Sequence, residues 1–272
     1  MNVEYKELVL EAKGVTLELE GMSILRDVNL EVRDLERAGR TTGQVVGLLG
    51  PSGIGKTQLF RILAGLQRPT AGSVKLTAGG IPVTAGAVGV VAQDYPLFEH
   101  RTVLGNLLVA GTQAGLSRAE AEEKAQALLE RFGLRSKAGV YPARLSGGQR
   151  QRVAIAQQVM CSEHFLLMDE PFSGLDPLAV DEVCALITEI ASQDTLNTII
   201  LVTHDVAAAV AVADHLWLLG RDRDGRGTPL PGARVQATYD LIERGVAFQP
   251  EVTATPQYRE LVSEVRAAFS RL

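Results

Sequence analysis

The 272 residues, 46% hydrophobic and 22% charged, suffice for a sizeable core and argue against disorder, collagen-like repeats and a chain that is itself a membrane protein. A net charge of −5 with a pI near 5.5 gives no broad attraction to nucleic acid, which is not expected as a partner. The two cysteines, Cys161 and Cys184, lie in apolar helical patterns without metal-ligand spacing and read as buried, reduced thiols in a reducing compartment.

The chain begins Met1-Asn2-Val3-Glu4-Tyr5-Lys6-Glu7, with early acids and no apolar signal core, and no later run reaches the ~18 apolar residues of a membrane span. From Leu8 to Val32 apolar and polar residues alternate, which predicts half-buried antiparallel strands. The continuous apolar run Val45-Val46-Gly47-Leu48-Leu49 predicts a buried strand, followed by a glycine-rich turn and a helical pattern from Gln58 to Leu66.

Between Leu104 and Val159 the composition turns to alanine, leucine, glutamate and glutamine, with Ser117 and Glu120 spaced as a capping box and Gly133 as a stop; this reads as an inserted helical subdomain. Strand patterns resume at Phe165 to Met168 and Thr198 to Val202, separated by a helical pattern, so the core is an α/β layered sheet. Val206 to Leu219, interrupted by Asp214 and His215, reads as a buried helix running into a strand, and Arg221 to Gly227 as an exposed turn or hairpin tip. Thr255 caps a helix starting at Pro256, whose apolar face of Tyr258, Leu261, Val262, Val265 and Phe269 is expected to pack on the parent domain, with docking of a partner as the alternative. No internal repeat interrupts this order.

Gly50-Pro51-Ser52-Gly53-Ile54-Gly55-Lys56-Thr57 fits G-x-x-x-x-G-K-[ST] between a predicted strand and a predicted helix, the context a phosphate-binding loop requires. Its glycines let backbone N–H groups approach phosphates, Lys56 supplies a cation to the β and γ oxygens, and the Thr57 hydroxyl can ligate Mg²⁺. The segment therefore binds a nucleoside triphosphate. Phe165-Leu166-Leu167-Met168-Asp169-Glu170 is an apolar strand ending in two acids at the carboxyl edge of a sheet. Asp169 there suits Mg²⁺, and Glu170 suits a general base acting on the attacking water.

Leu145-Ser146-Gly147-Gly148-Gln149, followed by Arg150-Gln151-Arg152-Val153-Ala154-Ile155-Ala156, resembles the signature motif of the ATP-binding cassette, or ABC, ATPases. The resemblance covers roughly residues 8 to 220, and other motifs follow in family order. Gln93 resembles the Q-loop glutamine, which touches metal or water and senses the membrane subunit; Ser173-Gly174-Leu175-Asp176 resembles the D-loop; His204 resembles the switch histidine that contacts the γ-phosphate.

The resemblance implies an α/β fold: a P-loop NTPase core of ABC ATPase type, with an N-terminal antiparallel β subdomain and an α-helical subdomain inserted at about residues 95–160. This ATPase domain is expected over residues 1–230, with a helical extension over 231–272. The implied cofactors are ATP, held by Gly50 to Gln58 and by Ser146, Gly147, Gly148, Gln149 and Asp176, and Mg²⁺, held by Thr57, Gln93 and Asp169; Glu170, His204 and Gln93 are the implied catalytic set. One chain cannot complete this site. In the family two copies pair head to tail, each ATP lying between one phosphate loop and the other copy's Ser146 to Gln149.

Val140-Tyr141-Pro142-Ala143-Arg144 resembles the corresponding segment of importer ATPases and lacks the Thr-Glu-Val-Gly-Glu-Arg-Gly stretch of fused exporters. Pro96 to Val103 likewise resembles the importer region where a permease helix docks. These likenesses imply an import ATPase working through separate permease subunits, with a substrate-binding protein in the same system, peripheral to the cytoplasmic face of the inner membrane. An efflux or lipid-trafficking ABC subunit, or a soluble non-transport ABC ATPase, is the alternative.

Two departures stand out. Leu19 occupies the position of the family's adenine-stacking aromatic, with Tyr5 as a candidate substitute, so looser base selectivity is expected. Gln58 stands where Ser or Thr is usual.

Overall fold

The computed structural model describes residues 3–37, 40–76, 81–161, 165–193, 198–249 and 251–272; Met1 and Asn2, at the head of the segment read above, lie outside them. Two long strands open the chain, β1 (Val3–Leu19) and β2 (Met22–Arg37). Their two-residue turn, Glu20-Gly21, has φ of 51° and 78°. Positive φ at both central residues is the hairpin geometry that follows the right-handed twist of the strands.

Next come β3 (Arg40–Thr42) and β4 (Gln44–Leu49), the latter buried at every position. After the glycine-rich loop, α1 (Lys56–Leu63) starts two residues earlier than its apolar periodicity predicts. Three short strands follow: β5 (Ala71–Leu76), β6 (Ile81–Pro82) and β7 (Gly89–Val91). The helical insertion comprises α2 (Val103–Gln113), α3 (Arg118–Arg131) and α4 (Gly147–Cys161). The capping box of α3 is present: Glu120 N–H donates to Ser117 Oγ at 3.4 Å, and Ser117 N–H donates to Glu120 Oε2 at 2.9 Å.

The chain then re-enters the sheet with β8 (Phe165–Asp169), α5 (Pro177–Gln193), β9 (Thr198–Thr203), α6 (Val206–Val212), β10 (His215–Arg223) and β11 (Pro229–Asp240), and ends in α7 (Pro256–Phe269). The charged run after Gly220 is the β10–β11 hairpin tip, and β11 continues through residues 231–240 as part of the sheet. Leu261, Val262 and Val265 of α7 are buried in the main core, and the Tyr258 hydroxyl donates to the Ala207 carbonyl at 3.0 Å, so the helix packs on its parent domain.

Among the described residues the strands form one sheet in the order β6-β5-β1-β2-β11-β10-β4-β9-β8-β7, with β3 beside β2. The segment β7-β8-β9-β4-β10 is parallel, and β1, β2 and β5 form an antiparallel wing. Side-chain alternation divides the interior in two. Leu49, Met168, Leu201 and Leu218 join the helical insertion on one face, whereas Leu48, Leu167, Val202 and Leu219 join α1 and the wing on the other. Leu48 and Leu49 are both fully buried, each worth roughly 1.5–3 kcal/mol of hydrophobic stabilisation.

One buried polar residue shapes a surface loop. Asn106, 0% exposed, accepts from Phe98 N–H at 2.7 Å and donates to the carbonyls of Phe98, Arg101 and Thr102 at 3.2, 3.3 and 3.0 Å. Glu99 of the same loop pairs with Arg150 at 2.6 Å. Among the described residues no helix is long and apolar enough to cross a membrane. Both cysteines are free, as expected, but neither is fully buried: Cys161, the last residue of α4, is exposed, and Cys184, within α5, is half-buried.

Candidate functional site

Parallel register brings the carboxyl ends of three strands to one edge. Leu49 of β4 faces Thr203 of β9, and Asp169 of β8 faces Val202, so Gly50, Glu170 and His204 leave the sheet side by side. The loop after β4 is shaped by close approach: a Cβ at Gly50 would lie 2.7 Å from the Leu219 carbonyl oxygen, and Gly55, at φ 110°, caps α1 without a side chain. The first-turn N–H groups of α1 therefore stay open, and a helix start of this kind favours an anion.

Lys56 spans this loop. Its Nζ donates to the carbonyls of Gly50 and Pro51 at 2.8 and 3.2 Å and lies 3.7 Å from Glu170 Oε1. Burial pulls its pKa below the ordinary lysine value, opposed by the carboxylates of Glu170 and Asp169. Asp169, 9% exposed, is driven the other way: burial and the neighbouring Glu170 raise its pKa, while Lys56 and the Thr57 hydroxyl lower it. Its Oδ1 is buried without a hydrogen-bond partner. A buried carboxylate oxygen with a free lone pair beside a hydroxyl is a donor set that fits Mg²⁺, which takes oxygen ligands.

Glu170 is held tightly. Its φ of 49° is left-handed, a region a non-glycine residue adopts at a cost. Its N–H donates to the Val202 carbonyl at 2.7 Å. Its Oε2 accepts from the Thr203 hydroxyl at 3.1 Å, the His204 backbone N–H at 3.3 Å and is 2.9 Å from His204 Nδ1. Thr203 is a contact that motif reading missed; the only signal was a hydroxyl at the end of an otherwise apolar strand. Gln93 is exposed and reaches the cluster indirectly, its Nε2 donating to Ser173 Oγ at 3.5 Å.

Ser146 and Gln149 cap α4 reciprocally, Gln149 N–H donating to Ser146 Oγ at 3.3 Å and Ser146 N–H to Gln149 Oε1 at 3.1 Å. Ser146 and Gly147 are exposed, and among the described residues no hydrogen bond or ion pair joins Ser146 to Gln149 with Lys56, Asp169 or Glu170. Asp176, also exposed, caps α5 by accepting from Ala179 N–H at 3.0 Å.

The L-cystine transport system ATP-binding protein TcyN of Escherichia coli (strain K12) is 36% identical over 269 residues, 92% of this chain and 97% of that one. The chain belongs to the ABC transporter family. The family model for ABC transporters matches residues 39–173, which include the phosphate loop, Ser146 to Gln149 and the Asp169–Glu170 pair. The aliphatic sulfonates import ATP-binding protein SsuB 1 of Burkholderia lata is 36% identical over 216 residues, 78% of this chain and 65% of that protein. The solved structure of cbiO1 from Clostridium perfringens, described as part of the ABC transporter complex cbiONQ, gives a TM-score of 0.73 at 23% identity, covering 97% of this chain and 98% of that one; the fold is the same.

As an ABC transporter ATP-binding subunit, the chain is an ATPase. Leu19 is half-buried against the wing's core, and Gly55 abuts Ile24 on the neighbouring strand, so the β1–β2 hairpin lies beside the phosphate loop. Tyr5 is no substitute for an aromatic at Leu19. It sits at the far end of β1, where its hydroxyl is 3.0 Å from His215 Nε2 and hydrogen-bonds Asp240, beside Gln44 and Val46 at the opposite end of β4. Gln58, in the first turn of α1, keeps its Oε1 buried without a partner.

Proposed function

We propose that the chain powers import of a solute through separate permease subunits, hydrolysing ATP at composite sites between two copies of itself. The observation that carries the reading is the Lys56–Glu170–His204 cluster, gathered at one sheet edge while, among the described residues, the Ser146–Gln149 motif makes no hydrogen bond or ion pair with it and leaves Ser146 and Gly147 exposed. A phosphate loop and an acid pair are thus gathered in one chain, and the remaining ligands need a second surface. The import direction is supported by the named roles of the sulfonate relative and by the importer-like segments at Val140 to Arg144 and Pro96 to Val103. A substrate-binding protein and a peripheral position on the cytoplasmic face of the inner membrane belong to the same reading.

In this mechanism Gly50 to Gln58 wrap the phosphates, and Lys56 exchanges its loop carbonyls and Glu170 for the β and γ oxygens. Mg²⁺, held by Thr57, Asp169 and Gln93, would neutralise phosphate charge. Glu170 is released from Lys56 by that exchange and accepts a proton from the attacking water. His204, whose Nδ1 orients on Glu170, presents its exposed ring toward the γ-phosphate. Ser146 to Gln149 of the second copy, with its Asp176 nearby, close the site through the Ser146 hydroxyl and the N–H groups of Gly147 and Gly148 at the start of α4.

Mixing two disabled chains tests the composite site. Lys56→Ala and Ser146→Arg each abolish turnover alone, but a mixed dimer keeps one intact site and regains hydrolysis. Mixtures as inactive as the separate variants would show that each site lies within one chain. Transport direction is read by reconstituting the chain with its co-purifying permease in vesicles.

A further inference from the structure

The Pro171–Phe172 peptide, one residue beyond Glu170, is gripped from two sides by groups outside the nucleotide chemistry described above. The Pro171 carbonyl oxygen accepts from Gln151 Nε2 at 2.7 Å and from the Tyr95 hydroxyl at 3.3 Å. Gln151 lies on α4, two residues beyond Gln149, and Tyr95 lies two residues beyond Gln93. One carbonyl thus joins the strand end bearing Glu170, the helix bearing the Ser146–Gln149 motif, and the turn bearing Gln93.

Glu170 needs such anchorage. Its left-handed φ of 49°, just ahead of a proline, persists only where the surroundings over-determine it. The Val202 carbonyl fixes its N–H, and its own carbonyl accepts from Ser173 N–H at 3.1 Å. The Pro171 carbonyl is the next link, and Gln151 is its shortest contact.

Gln151 is fully buried, and its Oε1 has no hydrogen-bond partner. A leucine or methionine would fill similar space without leaving a buried oxygen unpaired. What the amide supplies in return is the single bond from Nε2. Its orientation is dictated, since a carbonyl oxygen only accepts and the nitrogen must face it.

We infer that Gln151 and Tyr95 are positioning residues for Glu170, clamping the Pro171 carbonyl so that the carboxylate follows the seating of α4 and of the Gln93 turn against the sheet. The inference rests on the reading of Glu170 as general base. Among the described residues no hydrogen bond joins either to the phosphate loop; each acts on the reaction through the Pro171 carbonyl, one residue beyond Glu170. A shift of α4, as its Ser146–Gln149 end engages a second copy's nucleotide, then reaches Glu170 through the Gln151 hydrogen bond to the Pro171 carbonyl and the backbone of the adjoining residue.

The test uses Gln151→Leu, Tyr95→Phe and the double variant in the full-length chain, with ATP turnover, KM for ATP and melting temperature measured together. Loss of a buried donor should lower kcat about tenfold in Gln151→Leu and about threefold in Tyr95→Phe, with KM within about twofold of wild type. The double variant should depart from the product of the two single effects, because both donors serve one acceptor. Wild-type kcat in Tyr95→Phe, which removes one oxygen from a half-buried ring, overturns the inference even if Gln151→Leu does not fold. So does simple multiplication of the two effects, or a fall in turnover matched by loss of folded protein. Glu170→Gln separates the two claims: full hydrolysis there defeats the general-base reading, whereas a dead Glu170→Gln beside fully active Gln151 and Tyr95 variants defeats this inference alone.

Discussion

The ammonium of Lys56 lies 3.7 Å from the carboxylate of Glu170, so the cation and the base of the proposed mechanism face each other across the site. Nucleotide entry must part them. Lys56→Ala should therefore weaken ATP binding about 10- to 100-fold, the worth of charge-assisted hydrogen bonds. Equilibrium titration with a non-hydrolysable ATP analogue reads this directly; near wild-type affinity would reassign the lysine.

Glu170→Gln keeps the shape of the side chain and its contacts with Thr203 and His204 while removing basicity. Turnover should fall about 10²- to 10⁴-fold, the usual share of a general base. ATP should still assemble the dimer, and size-exclusion chromatography with and without ATP separates those two effects.

If Leu19 holds the position its sequence register implies, the base of the nucleotide meets an aliphatic side chain on the hairpin whose Ile24 abuts the phosphate loop. The chain should discriminate weakly between ATP and GTP. Leu19→Tyr should tighten ATP binding about 2- to 10-fold, in line with the stacking energy of an aromatic pair. Parallel ATP and GTP titrations of both proteins check it, and a wild type that strongly prefers ATP would mean that selection comes from elsewhere.

His215 supplies a pH dependence. Burial lowers its pKa below the ordinary histidine value, against the pull of Asp240 and Glu243, and the Tyr5 hydroxyl lies 3.0 Å from its ring. Between the folded and unfolded pKa values the unfolded chain binds the extra proton. The neutral ring's contribution to stability is complete above about pH 6.5 and is lost as pH falls from there through the depressed folded value. Melting temperatures of wild type should thus drop on acidification below about pH 6.5, and His215→Asn should show a shallower drop. Parallel curves would discount this histidine.

Much of the architecture is legible because its signals are local. Alternation marks β1 and β2, an apolar run marks β4, and Ser117, Thr255 and Pro256 mark helix starts through their own backbone chemistry. The phosphate loop and the Asp169–Glu170 pair are equally readable, since each is continuous in sequence. What escaped depends on distant partners or on direction. Gln151, between Arg150 and Arg152, has no local signal for its role, because it points inward to a carbonyl twenty residues away. Tyr5 finds its partners at His215 and Asp240, 210 and 235 residues on, which no local pattern encodes. Helix α1 begins at Lys56 rather than Gln58 because Lys56 and Thr57 turn toward the ligand site and break the apolar period. The domain boundary expected at residue 230 falls inside β11, whose pairing with β10 is set by the hairpin, not by composition.

Asn106 and its four hydrogen bonds fasten the loop from Phe98 to Thr102 before any partner arrives. Phe98 is left 42% exposed on that fixed backbone. A protein that docks there has little chain entropy to remove from this side, so its affinity can be spent on recognition rather than on ordering the loop. The cost of shaping the surface is met during folding, within the buried amide of a single asparagine.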